Sequence, residues 1–151
     1  MMITIVRTDF KNKDFIELVN ALNTFLKVAD GEDHDFYNQY NNIDVLNQVV
    51  VVYKGGIPLG CGAIKKYDDE SIEIKRMFVS SESRRMGVAI EILKELELWS
   101  KELGFKKCIL ETGIGLKNAI SLYQTNGYKS IPNYGQYENA ENSVCFEKHL
   151  E

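Results

Sequence analysis

The sequence predicts an α+β fold: a mixed, mostly antiparallel central sheet of about seven strands flanked by four helices. Three observations carry that reading. Between Val49 and Val79 three β-branched runs follow one another across tight turn signals, which makes an antiparallel meander. After Gly87 comes a long stretch with apolar residues at helical spacing. The next apolar run, Cys108-Ile109-Leu110, is contiguous and suits a central strand buried on both faces. A strand, a helix and a neighbouring strand form a crossover, so this pair should be parallel.

The elements follow in order. Ile3 to Arg7 is a short β-branched run and reads as the first strand. From Asp14, a plausible N-cap, apolar residues recur at Phe15, Leu18, Val19, Leu22, Phe25 and Leu26, which is helical spacing. Ala29 to Asp44 is polar, acidic and aromatic, a loop carrying one short helix. Val49 to Tyr53 is the second strand, Lys54-Gly55-Gly56-Ile57 a hairpin turn, and Leu59 to Tyr67 the return strand. Asp68-Asp69-Glu70 turns the chain into Ser71 to Val79. The long helix has its stripe at Ala89, Ile92, Leu96, Trp99 and Leu103, with Gly104 suited to the C′ position. Lys106 to Thr112, a helix around Asn118 to Thr125, and strands near Tyr128 to Ile131 and Ser143 to Lys148 complete the chain. No repeat or linker interrupts it, and residues 1–151 read as one domain.

Composition narrows the function classes. At 151 residues and 44% hydrophobic, the chain can bury a real core. A net charge of −4 argues against nucleic acid or an anionic membrane as the main partner. Cys61, Cys108 and Cys145 each lie inside an apolar run with no Cys-x-x-Cys pair, so they read as reduced core thiols, and no metal site is expected. The N-terminus turns polar too soon for a signal peptide, and no apolar run approaches the ~18 residues that span a bilayer. A cytoplasmic protein is the expectation.

The most informative stretch is Ser80-Ser81-Glu82-Ser83-Arg84-Arg85-Met86-Gly87-Val88-Ala89, at the junction between a strand and a helix. Free backbone N–H groups at a helix start, with the positive end of its dipole, form an anion site. Gly87 allows close backbone approach to a phosphate, and the two arginines can add charge-assisted hydrogen bonds. A dinucleotide-binding reading would need a Gly-rich turn opening a helix, but Gly60-Cys61-Gly62 lies inside a strand.

The pattern Arg84-x-x-Gly87-x-Ala89 resembles the pyrophosphate-binding signature of the GNAT superfamily of acyl-CoA N-acyltransferases, whose order of elements the chain also follows. Arg84 stands for the commoner glutamine and Ala89 for the second glycine. The resemblance implies acetyl-CoA as co-substrate, bound through Arg84, Arg85, Met86, Gly87, Val88 and Ala89. It implies a bulged strand at Phe78 and Val79, whose backbone N–H groups would hold an oxyanion and pair with the pantetheine arm. Asn118-Ala119-Ile120-Ser121-Leu122-Tyr123 resembles the second cofactor motif, with Asn118 at the pantetheine and the Tyr123 hydroxyl near the thioester sulfur. Packing of the Tyr123 ring in the core is the plainer alternative.

Direct acyl transfer to an amine needs a base. Glu73 lies between Ile72 and Ile74 on the strand leading to the signature and stands fourteen residues before Gly87, the spacing of superfamily members that use a strand glutamate. A surface glutamate paired with Lys65 or Lys75 fits the same residues, and Glu111 is a second candidate. Asp30, Glu32, Asp33 and Asp35 with Phe36, Tyr37 and Tyr40, in the loop the resemblance places over the acceptor side, suit a cationic amine, with a plain solvated acidic loop as the alternative. The polar, aromatic loop Asn133 to Glu138 could close over substrate. The expected function is N-acetyl transfer in a ternary complex to a small-molecule or peptide amine, without nucleic acid or membrane and with a homodimer open. A non-catalytic acyl-CoA-sensing module is the alternative, since a sensor needs only the phosphate loop.

Overall fold

Four consecutive valines, Val49 to Val52, are fully buried because their strand is covered on both faces. The computed structural model describes residues 3–40, 42–84 and 86–151. Its strands are β1 (Thr4–Thr8), β2 (Gln48–Lys54), β3 (Ile57–Lys66), β4 (Ser71–Val79), β5 (Lys107–Gly113), β6 (Lys129–Ile131) and β7 (Ser143–His149). They form one sheet in the order β1-β2-β3-β4-β5-β7-β6. All pairs are antiparallel except β4 with β5, as the crossover predicts. The helices are α1 (Lys13–Asp30), α2 (His34–Asn38), α3 (Val88–Glu102) and α4 (Lys117–Thr125). Three are long and α2 is a single five-residue turn, so the expected four flanking helices reduce to three. Among the described residues no helix is long and apolar enough to cross a membrane.

Each face of the sheet carries its own core. Val50, Val52, Ile64, Ile72, Ile74 and Leu110 pack against Val88, Ile92, Leu93 and Leu96 of α3 and Tyr123 of α4. Val49, Val51, Cys61 and Ala63 pack against Phe15, Leu18 and Val19 of α1. The period of two along β2 and β3 sorts the residues between these faces. Boundaries differ from expectation by a residue or two. Asn12 rather than Asp14 caps α1, its side chain accepting from Phe15 N, while Asp14 accepts from the Tyr53 hydroxyl at 2.7 Å. On α3 the stripe is Val88, Ile92, Leu93, Leu96 and Ser100, and Leu103 is exposed, because it follows the last helical turn as its C-cap. Arg7 anchors the edge strand β1 to α3, gripping Glu102 with both terminal nitrogens (2.8 and 2.9 Å) and Glu95 with Nε (2.7 Å).

β4 positions the site. It pairs with β5 only at Ser71–Lys107, Ile72–Cys108 and Glu73–Ile109, after which the two strands part. Toward β3 the register shifts between Cys61 and Ala63, which face Phe78 and Lys75. That shift is a bulge, with Arg76 in the left-handed region at φ 58°. The resemblance placed the bulge at Phe78 and Val79, but both remain in the ladder, opposite Cys61 and Gly60. The irregularity falls earlier because the extra residue is Arg76.

Glycine in β3 serves close packing. A Cβ on Gly60 would stand 2.8 Å from the Phe78 carbonyl oxygen, and one on Gly62 2.8 Å from Leu96 and 2.9 Å from Ile92 of α3. The Gly-x-Gly that invites a dinucleotide reading is therefore where helix and bulged strand press on β3. Gly60→Ala should destabilise the fold by roughly 1–3 kcal/mol, the usual cost of overpacking, measured by urea unfolding.

Candidate active site

The signature loop leaves β4 at Val79, passes through a single 3-10 turn at Ser81–Ser83, and enters α3 at Gly87. Ser80 and Ser83 hold that turn through their hydroxyls, 2.7 Å apart. Gly87 takes φ 77° at the N-cap, a conformation that disfavours any side chain, and a Cβ there would meet nothing within 4 Å. No side chain caps the helix, and the first backbone bond within it runs from Glu91 N to the Gly87 carbonyl at 3.2 Å. The N–H groups of Val88, Ala89 and Ile90 thus precede the helical ladder, at the positive end of the dipole. Arg84 and Met86 are exposed, and Arg85 lies outside the described residues.

Those amides open into a cavity of about 970 Å³ that fills the gap between β4 and β5. Met77, Phe78 and Val79 form one wall, with Thr112, Gly113, Asn118, Ala119, Leu122 and Tyr123 on the other. Asn118 is exposed at the start of α4. Tyr123 stacks edge-on against Tyr128, ring centres 5.7 Å apart, and its hydroxyl makes no hydrogen bond among the described residues. Burial pushes its phenol well up, so it keeps its proton at neutral pH. Tyr128 donates to Glu97 at 2.8 Å and is a packing residue. The geometry fits a long ligand with an anionic end at the α3 amides and a reactive end near Tyr123.

The same cavity holds both candidate carboxylates. Glu73 is 6% exposed. Its Oε2 accepts from the Tyr134 hydroxyl at 2.7 Å, and its Oε1 lies 3.8 Å from Lys75 Nζ. The Lys75 pairing expected of a surface glutamate is therefore present, but in a buried setting. Lys75 itself is pulled down by burial. Glu111 Oε2 accepts from Ser143 Oγ at 2.7 Å, and Ser143 lies 2.7 Å from the Tyr37 hydroxyl. Burial, with the charge of Glu73 adding to it, pushes the Glu111 carboxyl up to about 7, against the hydrogen bond from Ser143 and the charge of Lys75. That is the range in which a general base works.

The two loops expected at the acceptor side meet across the cleft. Tyr37 and Tyr40 contact Tyr137, with centroids 6.4 and 6.1 Å apart, and Tyr134 bridges Tyr137 and Tyr67 at 5.8 and 5.1 Å. Asp30 and Tyr37 line the cavity, whereas Glu32 and Asp35 point to solvent. Sequence reasoning missed Ser143, which lies diagonally across β7 from Glu111, and Arg76, a cation within an otherwise alternating strand. The three thiols lie in the core, and burial pushes Cys61 to about 12 and Cys108 and Cys145 to about 11. Inert thiols of this kind pack as small apolar groups.

The profile of the acetyltransferase (GNAT) family matches residues 15–128, and the chain belongs to that family. A Klebsiella pneumoniae protein assigned to the acyl-CoA N-acyltransferases superposes with a TM-score of 0.83 at 26% identity, covering 99% of both chains. A GNAT acetyltransferase from Elizabethkingia anophelis, solved with acetyl-CoA bound, superposes with a TM-score of 0.72 at 20% identity over 98% of both. The uncharacterized N-acetyltransferase YsnE of Bacillus subtilis is 32% identical over 65% of this chain and 66% of its own length. The matched segments span between 34% and 67% of the curated relatives' own lengths.

The Glu111 carboxyl gives a measurable linkage. Its pKa of about 7 in the folded state lies above the ordinary 4.5, so folding favours its protonated form. That contribution is full below about 4.5 and is lost as pH rises through 7. Glu111→Gln should therefore match the wild type in stability near pH 4.5 and exceed it by roughly 1–3 kcal/mol at pH 8, read from urea melts at the two pH values.

Proposed function

We propose that residues 1–151 form a single catalytic domain that transfers an acetyl group from acetyl-CoA to a primary amine by direct attack in a ternary complex. One observation carries the reading. A single cavity joins the open amides at Gly87–Ile90 to the Glu111 carboxylate and the Tyr123 hydroxyl. A sensing module would need only the first of these. The reduced thiols fit a reducing compartment, and a cytoplasmic location goes with the proposal.

Acetyl-CoA, once bound, supplies an activated thioester. The chain supplies the rest. The N–H groups of Val88, Ala89 and Ile90, with Arg84 beside them, hold the pyrophosphate charge. Asn118 and the unpaired edge of β4 from Ile74 to Val79 offer polar groups to the pantetheine amides. Backbone N–H groups of Phe78 or Val79 are the donors for the developing oxyanion, in a site where water is largely displaced. Glu111 takes the proton from the attacking amine, and the Tyr37–Ser143 pair holds that carboxylate in place. Glu73, engaged by Tyr134 and Lys75, adds negative charge that favours a cationic acceptor. Tyr123, kept protonated by burial, gives its proton to the departing sulfur.

Two measurements test this. Acetyl-CoA should raise the melting temperature while NAD and ATP do much less, and Gly87→Glu should abolish the shift without unfolding the protein. Equal shifts with all three nucleotides would reduce the loop to a generic anion site.

In steady-state assays with an amine panel, kcat/KM should rise with pH through about 7 as Glu111 loses its proton. Glu111→Gln should remove that limb and lower turnover at neutral pH on the order of 100-fold, and Tyr123→Phe on the order of 10- to 100-fold. A normal profile in Glu111→Gln with loss in Glu73→Gln would move the base to Glu73.

A further inference from the structure

Arg76 combines three unusual features. It is 6% exposed yet lines the cavity. It is the single non-glycine residue with positive φ among the described residues, at 58°. Its guanidinium is poorly satisfied: Nη2 donates to Asn23 Oδ1 of α1, while Nε is buried without a partner among the described residues. No carboxylate lies within ion-pair distance of it among the described residues, although Glu73 and Glu111 line the same cavity. Those two are engaged instead by Tyr134 and Lys75 and by Ser143.

The bulge explains how the side chain comes to be there. Lys75 pairs with Ala63 and shares the face covered by α1. Regular alternation would turn the next residue toward α3. The extra residue in β4 re-aims Arg76 to the α1 face, where Asn23 receives it, and left-handed backbone at a non-glycine costs energy. A guanidinium cannot shed its proton, so burial without an anion is unfavourable, and here burial pulls its pKa down. An uncompensated buried charge in a ligand cavity is relieved by an anion that arrives with the ligand.

We propose that Arg76 binds a carboxylate on the acceptor, so that the substrate class is an amine that also carries a carboxylic acid. This rests on the acetyl-transfer reading above. The amine end lies toward Glu111 and the acid end toward Arg76 and α1, with the tyrosines of the two loops flanking the space between. A dipolar acceptor accounts for both signs of buried charge in one cavity, which a simple polyamine does not.

The test is a thermal-shift comparison at saturating CoA, using free α-amino acids, β-alanine and γ-aminobutyrate, each against its own carboxamide. At least one free acid should raise the melting temperature about 2 °C or more beyond CoA alone, while its carboxamide does not. Arg76→Met should erase that difference and keep the shift due to CoA, and Arg76→Lys should retain part of it. With the acid so identified, Arg76→Met should raise KM on the order of 10- to 100-fold with kcat little changed. A CoA shift with no acid–carboxamide difference anywhere in the panel overturns the carboxylate assignment alone, and this wild-type comparison needs no variant to fold. An undiminished difference in Arg76→Met overturns it as well. Absence of any shift with CoA overturns the transfer reading, and this proposal with it.

Discussion

The parting of β4 from β5 is the constraint on which the rest of the molecule depends. The two strands share three paired positions and then diverge, while β4 stays bonded to β3 and β5 to β7 along its whole length. Each half of the sheet is therefore a continuous hydrogen-bonded unit, and the gap between them is part of the fold. Along that gap β4 presents backbone groups that no strand satisfies. Buried polar backbone must find partners, so the cleft is suited to a ligand with amides of its own or to water. The α3 amides and the two carboxylates line this one cavity.

Chemistry in the cleft follows from unequal surroundings of similar groups. Glu73 sits where β4 and β5 still pair and is gripped by Tyr134 and Lys75. Glu111 sits two residues beyond the last pair on β5, held by one hydroxyl. Burial without a close cation raises its pKa into the neutral range, which suits it to take a proton and later release it. The pair Lys75 and Arg76 shows the same logic for cations: the first has an acid and a carbonyl for company, the second only an amide oxygen among the described residues.

The bulge at Arg76 links fold and specificity. It shifts the register against β3, and beyond it β4 runs close over Gly60, where no side chain fits. The two glycines of β3 thus belong to the same device as the strained arginine, since close approach of α3 and β4 requires both. Packing and site geometry are in this region one problem.

The sequence by itself determined the elements and their order, because alternation, helical spacing and turn residues are local signals. Gly55 and Gly56 marked the hairpin, and Gly87 marked the turn into α3. It also presented Glu73, Glu111 and Tyr123 as candidates, since chemical type is visible in a chain. What raises the Glu111 carboxyl was decided only in three dimensions, by the elements that bury it and by the charge of Glu73 across the cavity. The placement of β7 between β5 and β6 and the meeting of two distant aromatic loops were likewise tertiary facts. So was the aim of Arg76, because a bulge depends on how two strands share one register, and burial depends on what every other element covers.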